Sequence, residues 1–189
     1  MKTLTLFFLI VFTTLLTANA QITKGNWMVG GSANYGFSKG ESSGNGFSSS
    51  GKASGFTIAP NIGYFIKDKF VIGAVPSFSF SNPEGSNNNG TSYGIGPFAR
   101  YYFLKPESKV NLLAQIRYGF GKGKSQSSQG SNTNGYGLKA GPVIYFNSSV
   151  GLEFTLDYSY SKIKSDNSDY VAIFKNLNFG FGFQIHLEK

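Results

Sequence analysis

Leu177-Asn178-Phe179-Gly180-Phe181-Gly182-Phe183-Gln184-Ile185-His186-Leu187 decides how the rest of this chain is read. Leu177, Phe179, Phe181, Phe183, Ile185 and Leu187 take every second position, and Asn, Gly, Gln and His fill the positions between. Successive side chains of a strand point to opposite faces. The alternation therefore predicts a strand with one wall of large apolar groups and one small or polar face. A soluble sheet hides such a wall in a core, whereas a membrane barrel turns it towards lipid. The remaining strands decide between the two.

Seven earlier segments repeat the pattern. Trp27–Phe37, Phe56–Ile66, Phe70–Phe80, Tyr93–Phe103, Val110–Phe120, Tyr136–Phe146 and Val150–Tyr160 carry bulky apolar residues on one parity and mostly small or polar residues on the other. The connections alternate in length. Ser38–Ser54, Ser81–Ser92, Gly121–Asn134 and Ser161–Ala172 are long, rich in Gly, Ser and Asn, and without periodicity, so they are expected to be loops. Lys67–Lys69, Leu104–Lys109 and Asn147–Ser149 are short turns. Strands of about eleven residues, rising about 3.3 Å each and tilted about 40°, climb roughly 28 Å, enough for an apolar band of about 25 Å.

Aromatic residues mark both ends of the strands. Tyr64-Phe65, Tyr102-Phe103 and Tyr145-Phe146 adjoin the short turns, at the level of Trp27, and are expected to form an interfacial girdle there. Tyr35, Phe37, Phe78, Phe80, Tyr93, Tyr118, Phe120, Tyr136, Tyr158 and Tyr160 fall near the opposite rim. Pro60, Pro76, Pro97 and Pro142 lie inside the segments on the apolar parity. A missing N–H breaks a ladder, so local bulges are expected at these prolines.

An eight-stranded barrel has an interior only wide enough for side chains to fill it. Gly, Ser and Asn fit that space, and the bulky parity does not. The fold class expected is all-β, an eight-stranded antiparallel up-and-down transmembrane β-barrel. A soluble lipocalin-like ligand-binding barrel is the structural alternative, with the bulky parity inside.

The ends of the sequence and its charge fit export. Met1-Lys2, the apolar run Leu4–Leu16 and Ala18-Asn19-Ala20 have the anatomy of a secretory signal peptide, with cleavage before Gln21. The run is shorter than the roughly 20 residues of a spanning helix. Residues 1–20 are therefore read as the signal peptide and 21–189 as one barrel domain. No cysteine is present, which excludes disulfide and thiolate chemistry. The formal charge is +8, and without Lys2 it is +7, from 16 basic and 9 acidic side chains. The lysines are scattered rather than gathered in a run, so anionic lipid headgroups are the expected partner and nucleic acid is not.

The signal peptide, the alternating strands, the aromatic rims and the aromatic-rich last strand Leu177–Leu187 resemble the small outer-membrane β-barrels of the OmpA, OmpX and OmpW type. The resemblance covers essentially all of the chain after residue 20. It implies a monomer in the Gram-negative outer membrane, assembled by machinery that reads the last strand. The barrel plan places the short turns and both termini in the periplasm and the long connections outside. Lys39, Lys52, Lys122, Lys124, Lys162 and Lys164 in those connections would then meet lipopolysaccharide phosphates.

Candidate chemistry is sparse. The inward parity carries Arg100, Arg117, Lys139, Glu153 and Asp157. If Phe146 pairs with Val150 across the short turn, Lys139 faces Asp157. If Gly121 pairs with Gly135, Arg117 also faces Lys139. Buried charges persist when paired, so a salt-bridged lumen plug is expected, with the constriction of a narrow porin-like channel as the alternative. His186, the single His, is no basis for a nucleophile–base pair or a zinc site. No catalytic residue, cofactor or metal is expected. Gly94–Ala99 mimics a dinucleotide fingerprint but lies inside a strand and contains Pro97. The sequons at Asn89 and Asn147 carry no weight in a bacterial envelope protein.

Overall fold

Each alternating segment forms a strand, and the eight strands close in chain order into one antiparallel barrel. They are β1 (Trp27–Gly44), β2 (Phe47–Lys67), β3 (Phe70–Pro83), β4 (Gly90–Tyr102), β5 (Val110–Ser125), β6 (Ser131–Tyr145), β7 (Val150–Ser165) and β8 (Val171–Leu187). The computed structural model describes residues 22–44, 47–84, 89–125, 130–166 and 171–188. The segment read as a signal peptide lies outside them.

The bulky parity faces out. Ile58, Ile72, Ile95, Ile116, Leu138, Leu156 and Phe181 are all exposed, while Met28, Phe65, Val71, Leu113 and Val143 of the other parity are buried. The soluble-barrel alternative requires the reverse. Aromatic ladders reinforce the outer wall, with Tyr136 stacked on Tyr160 at 5.0 Å and Phe56 set 5.7 Å from Phe78.

Three expectations change. First, most of the long connections are ladder, not loop: β1 pairs with β2 as far as Gly44 opposite Phe47, and β5 with β6 as far as Gly123 opposite Ser131. Hydrophobic alternation stops where both faces of a strand meet water, but backbone pairing does not need it. Second, the prolines cause no bulge. Ile58–Phe78 and Ile62–Ala74 pair on either side of Pro60 in one unbroken register. Ile95–Phe120 and Phe98–Arg117 do the same around Pro97. A register shift does occur at Phe65/Lys67, beside the turn where Lys69 is left-handed at φ 65°. Third, the aromatic pairs do not sit together in a girdle. Phe103 and Phe146 face out, but Phe65, Tyr102 and Tyr145 are buried inside. Neighbours along a strand must take opposite faces.

The barrel closes through a short seam. β1 and β8 pair only from Trp27–Leu187 to Gly31–Phe183. Beyond Gly31 each strand stays paired with its other neighbour but not across the seam. Gly31 has φ +135°, a conformation glycine tolerates, and a Cβ there would press on the backbone of Pro60. The pairing of β1 with β8 ends at this residue. The side chains along the gap are the most exposed apolar groups described, with Phe179 at 93% and Phe37 at 80% against 52% for Phe120 in the continuous wall.

Candidate functional site: a plug and a well in the lumen

The lumen is packed at the short-turn end and open towards the other. Large inward residues gather near the turns, at Phe65, Val71, Phe98, Tyr102, Leu113, Val143 and Tyr145. Ile22, fully buried, corks this end from the segment before β1. That segment is held by hydrogen bonds from Lys69 N to Ile22 O (2.8 Å), from Gly25 N to Phe65 O (2.9 Å) and from Lys24 N to Asp68 Oδ1 (2.8 Å).

Arg100 lies at the centre of the plug. Its guanidinium donates from Nη1 to Glu153 Oε1 at 2.5 Å and to Tyr102 Oη at 3.0 Å, and from Nε to Gln115 Oε1 at 2.8 Å. Arg100 and Glu153 are both buried, at 1% exposure each. Out of water the attraction between the two charges is strong, and so is the cost of separating them. The guanidinium also lies over aromatic rings, with Cζ 5.8 Å from the Tyr102 centroid. His186 Nε2 lies 3.4 Å from Tyr102 Oη, and its ring packs against Phe65, Tyr102 and Tyr145. The His186 ring is thus part of the aromatic packing of the plug.

The remaining three charges lie above the plug. Lys139 faces Asp157 across β6 and β7, with Nζ 3.9 Å from Oδ2 and both side chains about a third exposed. Arg117 does not face Lys139. The β5–β6 pairing is displaced by two residues from the expected one, so Gln115 faces Lys139 and Arg117 faces Gly137. The expected turn register assumed a loop starting at Gly121, whereas the ladder runs on beyond it. Arg117 has space because Gly96 has no side chain, and a Cβ there would collide with the arginine stem.

Sequence parity therefore identifies the five inward charges, but not that Arg100 belongs with Glu153. It also misses Ile22, Met28, Tyr102, Tyr145 and Gln184 as parts of the floor. The Tyr-Phe pairs carried the available signal, since one member of each had to face inward.

Among the described residues no group of three or more metal-ligating side chains occurs. The fold is that of a small eight-stranded outer-membrane β-barrel. Two solved structures are similar. The outer membrane protein OprG from Pseudomonas aeruginosa aligns over 91% of this chain and 100% of its own, at TM-score 0.53 and 12% identity. Neisserial surface protein A aligns over 87% and 97%, at TM-score 0.48 and 18% identity. No protein-family model and no curated protein matches the chain.

Proposed function

We propose that this chain is an integral outer-membrane β-barrel, non-enzymatic, without a through pore, that serves envelope structure and surface contact. The observation that carries this reading is a continuous exposed apolar wall around a lumen closed by the Arg100–Glu153 plug. Soluble monomers rarely expose apolar patches beyond a few hundred Å², and a wall that encircles the molecule needs lipid. In this reading residues 1–20 direct export and the assembly machinery recognises β8. The barrel is a monomer, and the short turns and both termini face the periplasm.

A lysine collar supports the surface-contact part. Lys39, Lys52, Lys122, Lys124, Lys162 and Lys164 are on strand extensions just past the outer aromatic rim, on the outward parity. Lys39 and Lys52 face each other directly, and Lys52 is also bonded to Glu84 at 3.4 Å. Such a collar is at the right level for lipopolysaccharide phosphates.

The reading is tested by expressing the full chain and following the folded product. Detergent-dependent extraction from the outer-membrane fraction and heat-modifiable gel migration are expected. A detergent-free soluble monomer would overturn it. Planar-bilayer recording should show no stepwise conductance, and steady channel openings would favour the narrow-channel alternative.

A further inference from the structure

At the outer rim the barrel wall carries uncompensated charge on one side only. On β1 and β2, Lys52 is bonded to Glu84, and Lys39 also has a partner. On β5, β7 and β8 the exposed side chains of Lys122, Lys124, Lys162, Lys164 and Lys175 form no ion pair or hydrogen bond among the described residues. The acid beside them, Asp166, accepts a hydrogen bond from Asn132 Nδ2. A cluster of like charge this dense repels itself and attracts anions.

The pairing register arranges the cations in two sets. Lys122, Asn132 and Lys164 lie in one row across β5, β6 and β7, on the outward face. Neighbouring strands are about 4.8 Å apart, so the two lysines flank Asn132 at roughly 10 Å between Cα atoms. Both ammonium groups can then reach one phosphate. Lys162 faces Ile173, and Lys175 lies two residues further along β8 on the same face, so these two are diagonal neighbours and form the second set. Tyr118, Tyr136 and Tyr160 make a row that ends at Lys175, with Tyr136 stacked on Tyr160. Beside this row a groove of about 620 Å³ opens in the outer wall, with Ile95, Tyr118 and Phe120 along its apolar part and Lys122, Asn132 and Asn134 along its polar part.

A ligand for this face must be anionic at two points, amphiphilic and seated at the outer rim. A glycerophospholipid with one phosphate meets one cation set. A bisphosphorylated, acylated glucosamine disaccharide meets both, lays its sugar rings over the tyrosine row and drops an acyl chain into the groove. We propose that the outward face from β4 to β8 binds one molecule of lipid A, the phosphorylated anchor of lipopolysaccharide, with Lys122 and Lys164 on one phosphate and Lys162 and Lys175 on the other. This deepens the surface-contact reading above, from a collar to a one-sided site, and rests on it for the placement of this rim in the outer leaflet.

The test is titration of the full barrel, folded in detergent micelles, with bisphosphorylated lipid A, read by native mass spectrometry. One tightly retained lipid A per barrel is expected. Dephosphorylated lipid A, phosphatidylglycerol and inorganic pyrophosphate should each be retained at least tenfold more weakly. Lys122→Gln with Lys164→Gln should weaken retention roughly 30-fold, about fivefold for each lysine lost. Lys39→Gln with Lys52→Gln removes the same charge from the other side of the barrel and should change retention less than twofold. Heat-modifiable migration verifies that each variant is folded. No retained lipid A, equal retention of any of the three comparison compounds, or equal loss in the two double variants would each overturn the proposal. A barrel that extracts with the outer membrane yet retains no lipid A sinks this site alone. A detergent-free soluble monomer sinks the membrane reading, and this site with it.

Discussion

Arg100 and Glu153 show how much a side chain's place in the lumen matters. Both are sealed from water, so removing one strands the other's charge. Glu153→Ala is expected to cost about 3–5 kcal/mol, read from urea unfolding of the barrel in lipid vesicles. Replacing the pair together, Arg100→Met with Glu153→Leu, should restore most of that loss, since an apolar pair needs no compensation. Lys139 and Asp157 have the same charges at 3.9 Å with partial exposure. Asp157→Ala should therefore cost under about 1 kcal/mol in the same assay. A single inward-facing set thus contains one pair on which stability depends and one on which it hardly does. Parity placed all five charges inside, because facing alternates residue by residue. It could not pair Arg100 on β4 with Glu153 on β7, because that contact crosses the lumen between strands that are not neighbours.

At the level of strands, the seam between β1 and β8 is the weak element. Five residue pairs hold it, from Trp27–Leu187 to Gly31–Phe183. Within Ser32–Phe37 and Leu177–Phe181, the alternate backbone amides that point into the gap should exchange with deuterium far faster than those of the fully paired β5–β6 ladder. Equal protection would show that the two edges are covered. Gly31→Ala should destabilise the barrel by about 1–3 kcal/mol in urea unfolding, through both its positive φ and the pressure of a Cβ on Pro60. The prolines, by contrast, are local omissions in a ladder whose register continues past them. Sequence marked where the N–H groups are missing, but register is a property of two strands, and bulging was not required.

For the whole molecule, which medium meets which face governs the energetics. Leu156 is in the middle of the outer wall, and Ser161 opens on the well. Leu156→Lys should cost about 2–4 kcal/mol in vesicle unfolding, the range for a cation near the midplane of the lipid face. Ser161→Lys, on the water side, should change stability by under about 1 kcal/mol. Equal costs at the two positions would contradict an outside facing lipid.

Sequence alone determined the strands, their facing and the barrel, because a period of two is written in neighbouring residues and the narrow interior cannot take the uniformly bulky parity. It also located the inward charges. Tertiary structure decided which charges meet, where the lumen closes and where the wall stays unzipped. Those features arise from closure of the sheet, which sets Arg100 beside Glu153 across the lumen and leaves β1 and β8 joined only below Gly31. Closure depends on contacts between residues far apart in the chain, and no local pattern encodes them.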